Sequence, residues 1–169
     1  MRRHLVLAAI CLPALLLAGC GDKDEEQEEE SVRLTVIGGP LTEAQTELGA
    51  PGSSVGELRT FTRRLTTESG EPAGEVEGTA VISQRRGRGQ QLEEHRTSTV
   101  QLSLNDGDLV LAGVWVPRPS DPTVPHPRGV RLAIVGGTGE YRGARGETVQ
   151  TPLSGGRLEI EADFQVPAD

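Results

Sequence analysis

The chain has 169 residues, 17 of them basic and 25 acidic, for a formal charge of −8 at neutral pH. That balance argues against nucleic acid as a partner, because phosphate binding requires a basic stripe. Two Phe, one Trp and one Tyr are the whole aromatic complement, so a cavity in this protein cannot have mainly aromatic walls.

The first residues are organised for export. Arg2 and Arg3 form a positive start, Leu5 to Leu17 is an apolar run interrupted only by Pro13, and small residues lead into Cys20. The run is too short to span a bilayer comfortably, which favours a cleaved signal over a transmembrane helix. Leu17-Ala18-Gly19-Cys20 resembles the lipobox of bacterial lipoproteins, which implies that Cys20 is acylated and becomes the new N-terminus. Acyl chains gain about 0.8 kcal/mol per buried CH2, so two or three of them anchor a soluble domain firmly. Residues 1–19 are therefore expected as a signal peptide, and the membrane as a partner through lipid at Cys20.

Residues 20–31 carry the lipidated cysteine and a tether, Gly21 to Ser31, with seven carboxylates in eleven residues. Such a run buries too little apolar surface to offset its ordering entropy, and like charges extend it. Calcium binding by these carboxylates is the lesser alternative, since nothing fixes their geometry. Loss of Arg2 and Arg3 with the signal leaves a charge of −10, so docking to anionic lipid falls to the acyl anchor alone. Cys11 leaves with the signal and Cys20 is acylated, so no thiol remains for a disulfide or a zinc site. The expected location is the outer face of the cell membrane. Gly21 carries no aspartate-type retention signal, so the outer membrane stays open in a cell with two.

Residues 32–169 are expected as one domain built of strands. Val32 to Ile37 is the first and stops at Gly38-Gly39-Pro40. Leu41, Ala44, Gln45 and Leu48 have helical spacing and suggest a short helical turn over 41–48. Val55 to Thr66 is a second strand, Val76 to Ile82 a third, and Leu92 to Leu104 a fourth closing on the turn Asn105-Asp106-Gly107. Leu109 to Val116 is apolar on both faces and expected to be covered on both. Pro117 to Pro127 holds five prolines and should stay out of a sheet, as a surface excursion or a cap. Gly129 to Val135, Glu140 to Gln150 and Arg157 to Val166 complete the set. In the last, Leu158, Ile160, Ala162, Phe164 and Val166 alternate with polar residues and should face inward. Eight short strands with almost no helix mean an all-β sandwich or a closed antiparallel barrel, and periodicity alone does not separate the two.

The segment from Leu132 to Glu147 is the most distinctive. A dinucleotide-binding fingerprint fails there: Arg142 stands where the third glycine belongs, and no helix follows to receive a phosphate. Gly136 to Gly139 fits a hairpin that needs positive φ angles. Gly136-Gly137-Thr138-Gly139-Glu140-Tyr141-Arg142-Gly143-Ala144-Arg145-Gly146 resembles the glycine-rich hairpin of the allene oxide cyclase and dirigent barrel superfamily. Ser54-Val55-Gly56-Glu57-Leu58-Arg59-Thr60-Phe61 is similar to a second segment of the cyclases. The resemblance runs from about Val55 to Leu153. It implies an eight-stranded antiparallel β-barrel, often a homo-oligomer, with an apolar lumen that binds a hydrophobic small molecule. Arg145 matches a lumen arginine of the dirigent proteins. The glutamate, asparagine and cysteine of the plant cyclase pocket have no counterpart, the first strand being Val-Arg-Leu-Thr-Val-Ile over 32–37.

On the expected seventh strand Tyr141, Gly143, Arg145 and Glu147 share one face. Facing the lumen, Arg145 and Glu147 would hold a ligand through charge-assisted hydrogen bonds; facing solvent, they would form a pair worth little. His95 and His126 offer no metal-ligand spacing, so neither a metal nor a cofactor is expected. Trp115 is either core or a lip at a barrel mouth. The leading expectation is a non-catalytic, membrane-anchored barrel binding a hydrophobic small molecule, or an envelope interaction module. The alternative is an isomerase or cyclase in which Arg145, Tyr141 and Glu147 supply polar contacts. A third possibility is a lumen fully packed by side chains, with partners meeting the acidic exterior.

Overall fold

Alternating inward and outward side chains set the architecture. In the computed structural model, which describes residues 29–46, 55–87, 92–118, 121–125 and 129–168, eleven strands follow one another. They are β1 (Glu29–Gly38), β2 (Thr42–Thr46), β3 (Leu58–Thr66), β4 (Pro72–Arg86), β5 (Glu93–Leu104), β6 (Gly107–Trp115), β7 (Pro117–Arg118), β8 (Asp121–Pro125), β9 (Val130–Gly137), β10 (Arg145–Pro152) and β11 (Leu158–Pro167). Leu158, Ile160, Ala162, Phe164 and Val166 of β11 are all buried, while Glu161, Asp163 and Gln165 are exposed. That is the period of two expected of a half-buried strand.

The main sheet runs β1-β11-β10-β9-β6-β5-β4-β3 with every pair antiparallel. It closes on itself where Ile37 and Gly38 pair with Thr66 and Leu65. The result is an eight-stranded barrel, and the sandwich is excluded.

The closing seam explains one departure from expectation. Residues 42–46 form strand β2, not part of a helical turn. β1 pairs with only the last two residues of β3, which leaves the rest of that edge with unsatisfied backbone groups. After the break at Gly39-Pro40 the chain continues in the same direction and fills the edge, from Thr42 opposite Thr62 to Thr46 opposite Leu58. A two-turn helix would have had to meet the nucleation cost with little packing in return. Residues 47 and 48 lie outside the described set.

Three other elements differ as well. The barrel begins at Glu29, so the last three residues of the expected tether extend β1 against Gln165 to Pro167. The proline-rich segment does pair, though only with itself: Pro117 faces Pro125 and Arg118 faces Asp121 in a two-stranded ribbon apart from the barrel sheet. A short ribbon outside the barrel sheet tolerates prolines because their missing N–H removes no bond from a central ladder. Glu140 and Tyr141 belong to a 3-10 turn, Gly139–Tyr141, and the seventh barrel strand starts only at Arg145. Here Glu140 N–H donates to Asp106 O at 3.0 Å, which commits the backbone to the neighbouring β5–β6 turn. The outer face of β6 is also less covered than expected, with Val114 55% exposed.

One end of the barrel is sealed by its hairpins. Leu65, Leu102, Leu109, Ile134, Ala144 and Phe164 fill it, and Tyr141 packs edge-on against Phe164 with ring centroids 5.7 Å apart. A Cβ on Gly137 would lie 2.3 Å from Tyr141 O and 2.8 Å from Asp108 O. The glycines there let the β5–β6 and β9–β10 turns touch backbone to backbone. The expected positive φ is found at Gly139 (+59°) and is not needed at Gly136 or Gly137. At the opposite end lie Trp115, the β7–β8 ribbon and the starts of β9 and β11.

Candidate functional site

The inward residues of β3 and β5 change character along the barrel. Reading toward the mouth, β3 contributes Leu65, Arg63, Phe61 and Arg59, and Glu57 follows just beyond it. β5 contributes Leu102, Val100, Ser98, Arg96 and Glu94. Apolar side chains thus fill the sealed half, and charged ones stand in the other. A cavity of about 70 Å3 lies between them, bounded by Arg59, Phe61, Arg63, Arg96, Ser98 and Trp115, with Val76, Val100, Gln150 and Ile160 among its other walls.

These polar groups hold one another in place. Arg59 Nε donates to Glu57 Oε1 at 2.7 Å and Arg59 Nη1 to Glu43 Oε1 at 2.8 Å. Glu57 is completely buried, and its Oε2 has no hydrogen-bond partner among the described residues. Arg96, 1% exposed, donates through Nη2 to Glu94 Oε2 at 3.1 Å and lies over the Trp115 ring, 5.1 Å from its centroid. Trp115 Nε1 donates to Ser98 Oγ at 2.7 Å. Trp115 is therefore both packed against the core and part of the mouth wall. Arg63 is anchored differently, its Nη1 donating to Gly39 O at 2.6 Å and Gly156 O at 2.8 Å.

Burial shapes the three guanidiniums unequally. It lowers the pKa of Arg59, but hydrogen bonds and charges from Glu57 and Glu43 more than offset this and leave it raised. Arg96 is lowered by burial first and by the positive charge of Arg59 second, against the pull of Glu94. Arg63 is lowered by burial alone. All three remain cations at any physiological pH.

The residues singled out from sequence sit elsewhere. Gly146 and Thr148 occupy the inward positions of β10, opposite Ile134 and Leu132, so Arg145 and Glu147 point outward. Arg145 Nη1 donates to Ala144 O at 2.7 Å, and exposed Glu147 pairs with Arg131 at 2.5 Å. Tyr141 lies at the sealed end, where burial, then Asp106 and Glu140, raise its pKa. The structure does not bring the three together, none lines the cavity, and the lumen arginine implied for Arg145 is supplied by β3 and β5. His95 lies on β5; His126 and Cys20 fall outside the described residues. Among the described residues no group of three or more His, Cys, Asp or Glu could hold a metal.

Arg59 and Arg63 were legible in principle. In 57–65 the odd positions include Phe61 and Leu65, whereas the even positions after Leu58 are Thr60, Thr62 and Arg64, all polar. The odd phase is therefore the inward one, and it carries the arginines with it.

Fold and site together define a small closed antiparallel barrel, packed at one end and arginine-lined at the other. Residues 40–165 match the family described as the allene oxide cyclase barrel like domain, and the chain belongs to it. No curated protein matches the chain. Among solved structures, a pyocyanin demethylase is similar at 21% identity and TM-score 0.62, over 79% of this chain and 99% of that one. A Diels-Alderase from Streptomyces koyangensis is similar at 18% identity and TM-score 0.57, over 83% and 64%. A pterocarpan synthase dirigent protein follows at 17% identity and TM-score 0.56, over 84% and 88%. At such identities the likeness is one of fold.

Proposed function

We propose that the protein is an exported lipoprotein, held by acylated Cys20 on the outer face of the cell membrane, whose barrel binds a hydrophobic small molecule at the mouth without transforming it. The observation that carries the binding is the mixed cavity: apolar walls from Phe61, Val100, Trp115 and Ile160 with a few convergent polar groups. That composition is typical of small-molecule sites. The cavity, about 70 Å3, is small and partly open, so it holds one end of a ligand and the remainder lies at the mouth beside Trp115. The similar structures named for chemistry on small organic molecules support small-molecule binding by a barrel of this fold.

Trp115 is the only tryptophan, which makes its emission a direct reporter. Titration with a lipophilic ligand should change it saturably, and a flat response across fatty acids, fatty alcohols and phenolics rejects the binding. For the anchor, Cys20→Ala should abolish palmitate labelling and release the protein from the membrane fraction. Unchanged sedimentation rejects the lipoprotein assignment.

A second reading, an isomerase or cyclase, is favoured by fully buried Glu57, whose Oε2 lacks a partner beside Arg59. It requires turnover of an epoxide or quinone methide that Arg59→Gln abolishes in a folded barrel.

A further inference from the structure

Charge is compensated unevenly around the cavity. Arg59 has Glu57 and Glu43, and Arg96 has Glu94. Arg63, which also lines the cavity, forms no ion pair with a described residue, and both of its hydrogen bonds go to backbone carbonyls. Arg63 is half-buried; a guanidinium keeps its proton, and partial desolvation favours a counter-charge beside it.

The geometry of the side chain says what is missing. Both carbonyl bonds use Nη1, and they fix the guanidinium between the β1–β2 break and the turn before β11. Nε and Nη2 make no hydrogen bond to a described residue. These two N–H groups form the parallel edge that takes both oxygens of a carboxylate. Arg63 itself lines the cavity, Phe61 lies next along the same face of β3, and Leu158 is another wall, so apolar surface stands beside the guanidinium.

We infer that the ligand is an amphipathic carboxylate whose head group binds the Nε–Nη2 edge of Arg63, with its apolar body running past Phe61 toward Trp115. This rests on the lumen-binding proposal above and specifies its chemistry.

The test uses full-length protein in nanodiscs, Trp115 emission, and matched probes: hexanoate with hexanamide, and benzoate with benzamide. A charge-assisted bidentate contact should make each acid bind roughly 10- to 100-fold more tightly than its amide. Arg63→Gln should bring that ratio close to one while keeping the amide's affinity, and Arg63→Lys, which keeps the charge without the fork, should fall between. Should Arg63→Gln fail to fold, wild-type protein still decides: added nitrate should weaken hexanoate and leave hexanamide unaffected. Equal affinities for acid and amide, or a preference that survives in folded Arg63→Gln, overturn the inference and leave lumen binding standing. Absence of binding by all four probes and their longer homologues overturns both.

Discussion

Replacing Glu57 with glutamine isolates the electrostatic core of the site, because the two side chains have nearly the same shape. Glu57 is fully buried and accepts from Arg59 Nε at 2.7 Å. The amide oxygen can keep that bond but not the counter-charge. Removing one partner of a buried ion pair costs about 3–5 kcal/mol, mostly from stranding the other charge. Two features place this case at or below the lower limit. Glu43 still neutralises Arg59 at 2.8 Å, and the unpartnered Oε2 loses no hydrogen bond when it becomes an amide. About 2–3 kcal/mol is expected, which for a domain of this size lowers Tm by roughly 5–15 °C. Glu43→Gln removes the more accessible partner, 21% exposed against 0% for Glu57, and should cost about 1 kcal/mol or less. Thermal melts followed by far-UV circular dichroism measure both. If Glu57→Gln proves no more destabilising than Glu43→Gln, the argument that Glu57 holds Arg59 in the wall is wrong.

Gly137→Ala should destabilise by about 1–3 kcal/mol, since its Cβ would meet the backbone oxygens of Tyr141 and Asp108 well inside contact distance; a urea midpoint unchanged from wild type refutes the backbone-to-backbone account of the sealed end. Asp108 has its pKa lowered by hydrogen bonds from Ser103 and then Thr138. A carboxyl depressed on folding stabilises above its unfolded value of 3.8 and loses that contribution as pH falls through the folded value. Asp108→Asn should therefore flatten the stability profile below about pH 4 relative to wild type, and an unaltered acid limb in chemical denaturation contradicts it.

Much of the fold could be read from the chain because inward and outward positions differ so clearly. The alternation in 158–166 gives β11 residue by residue, and the glycine-rich hairpin pointed to the barrel family to which the chain belongs. What escaped was set by partners distant in sequence. Residues 42–46 become a strand only because β1 leaves part of the β3 edge open. Tyr141 leaves the seventh strand because Glu140 is bonded to Asp106, across another hairpin. The site was misread for a related reason. A charged residue on a half-buried strand normally marks the solvent face, and Arg145 and Glu147 follow that rule. Arg59, Arg63 and Arg96 break it. Glu57 and Glu94 stand only two residues from the arginines they pair with, but Glu43 on β2 and the carbonyls of Gly39 and Gly156 come from distant segments that no local pattern encodes.

Native mass spectrometry of the full-length protein purified gently from its source cells tests the central claim most directly. The expected result is one bound small molecule per barrel, a lipophilic acid, lost on collisional activation and replaced when hexanoate is added. A mass with no bound small molecule, unchanged after incubation with carboxylic acids and with their neutral analogues, would contradict ligand binding in the lumen and leave a packed structural barrel.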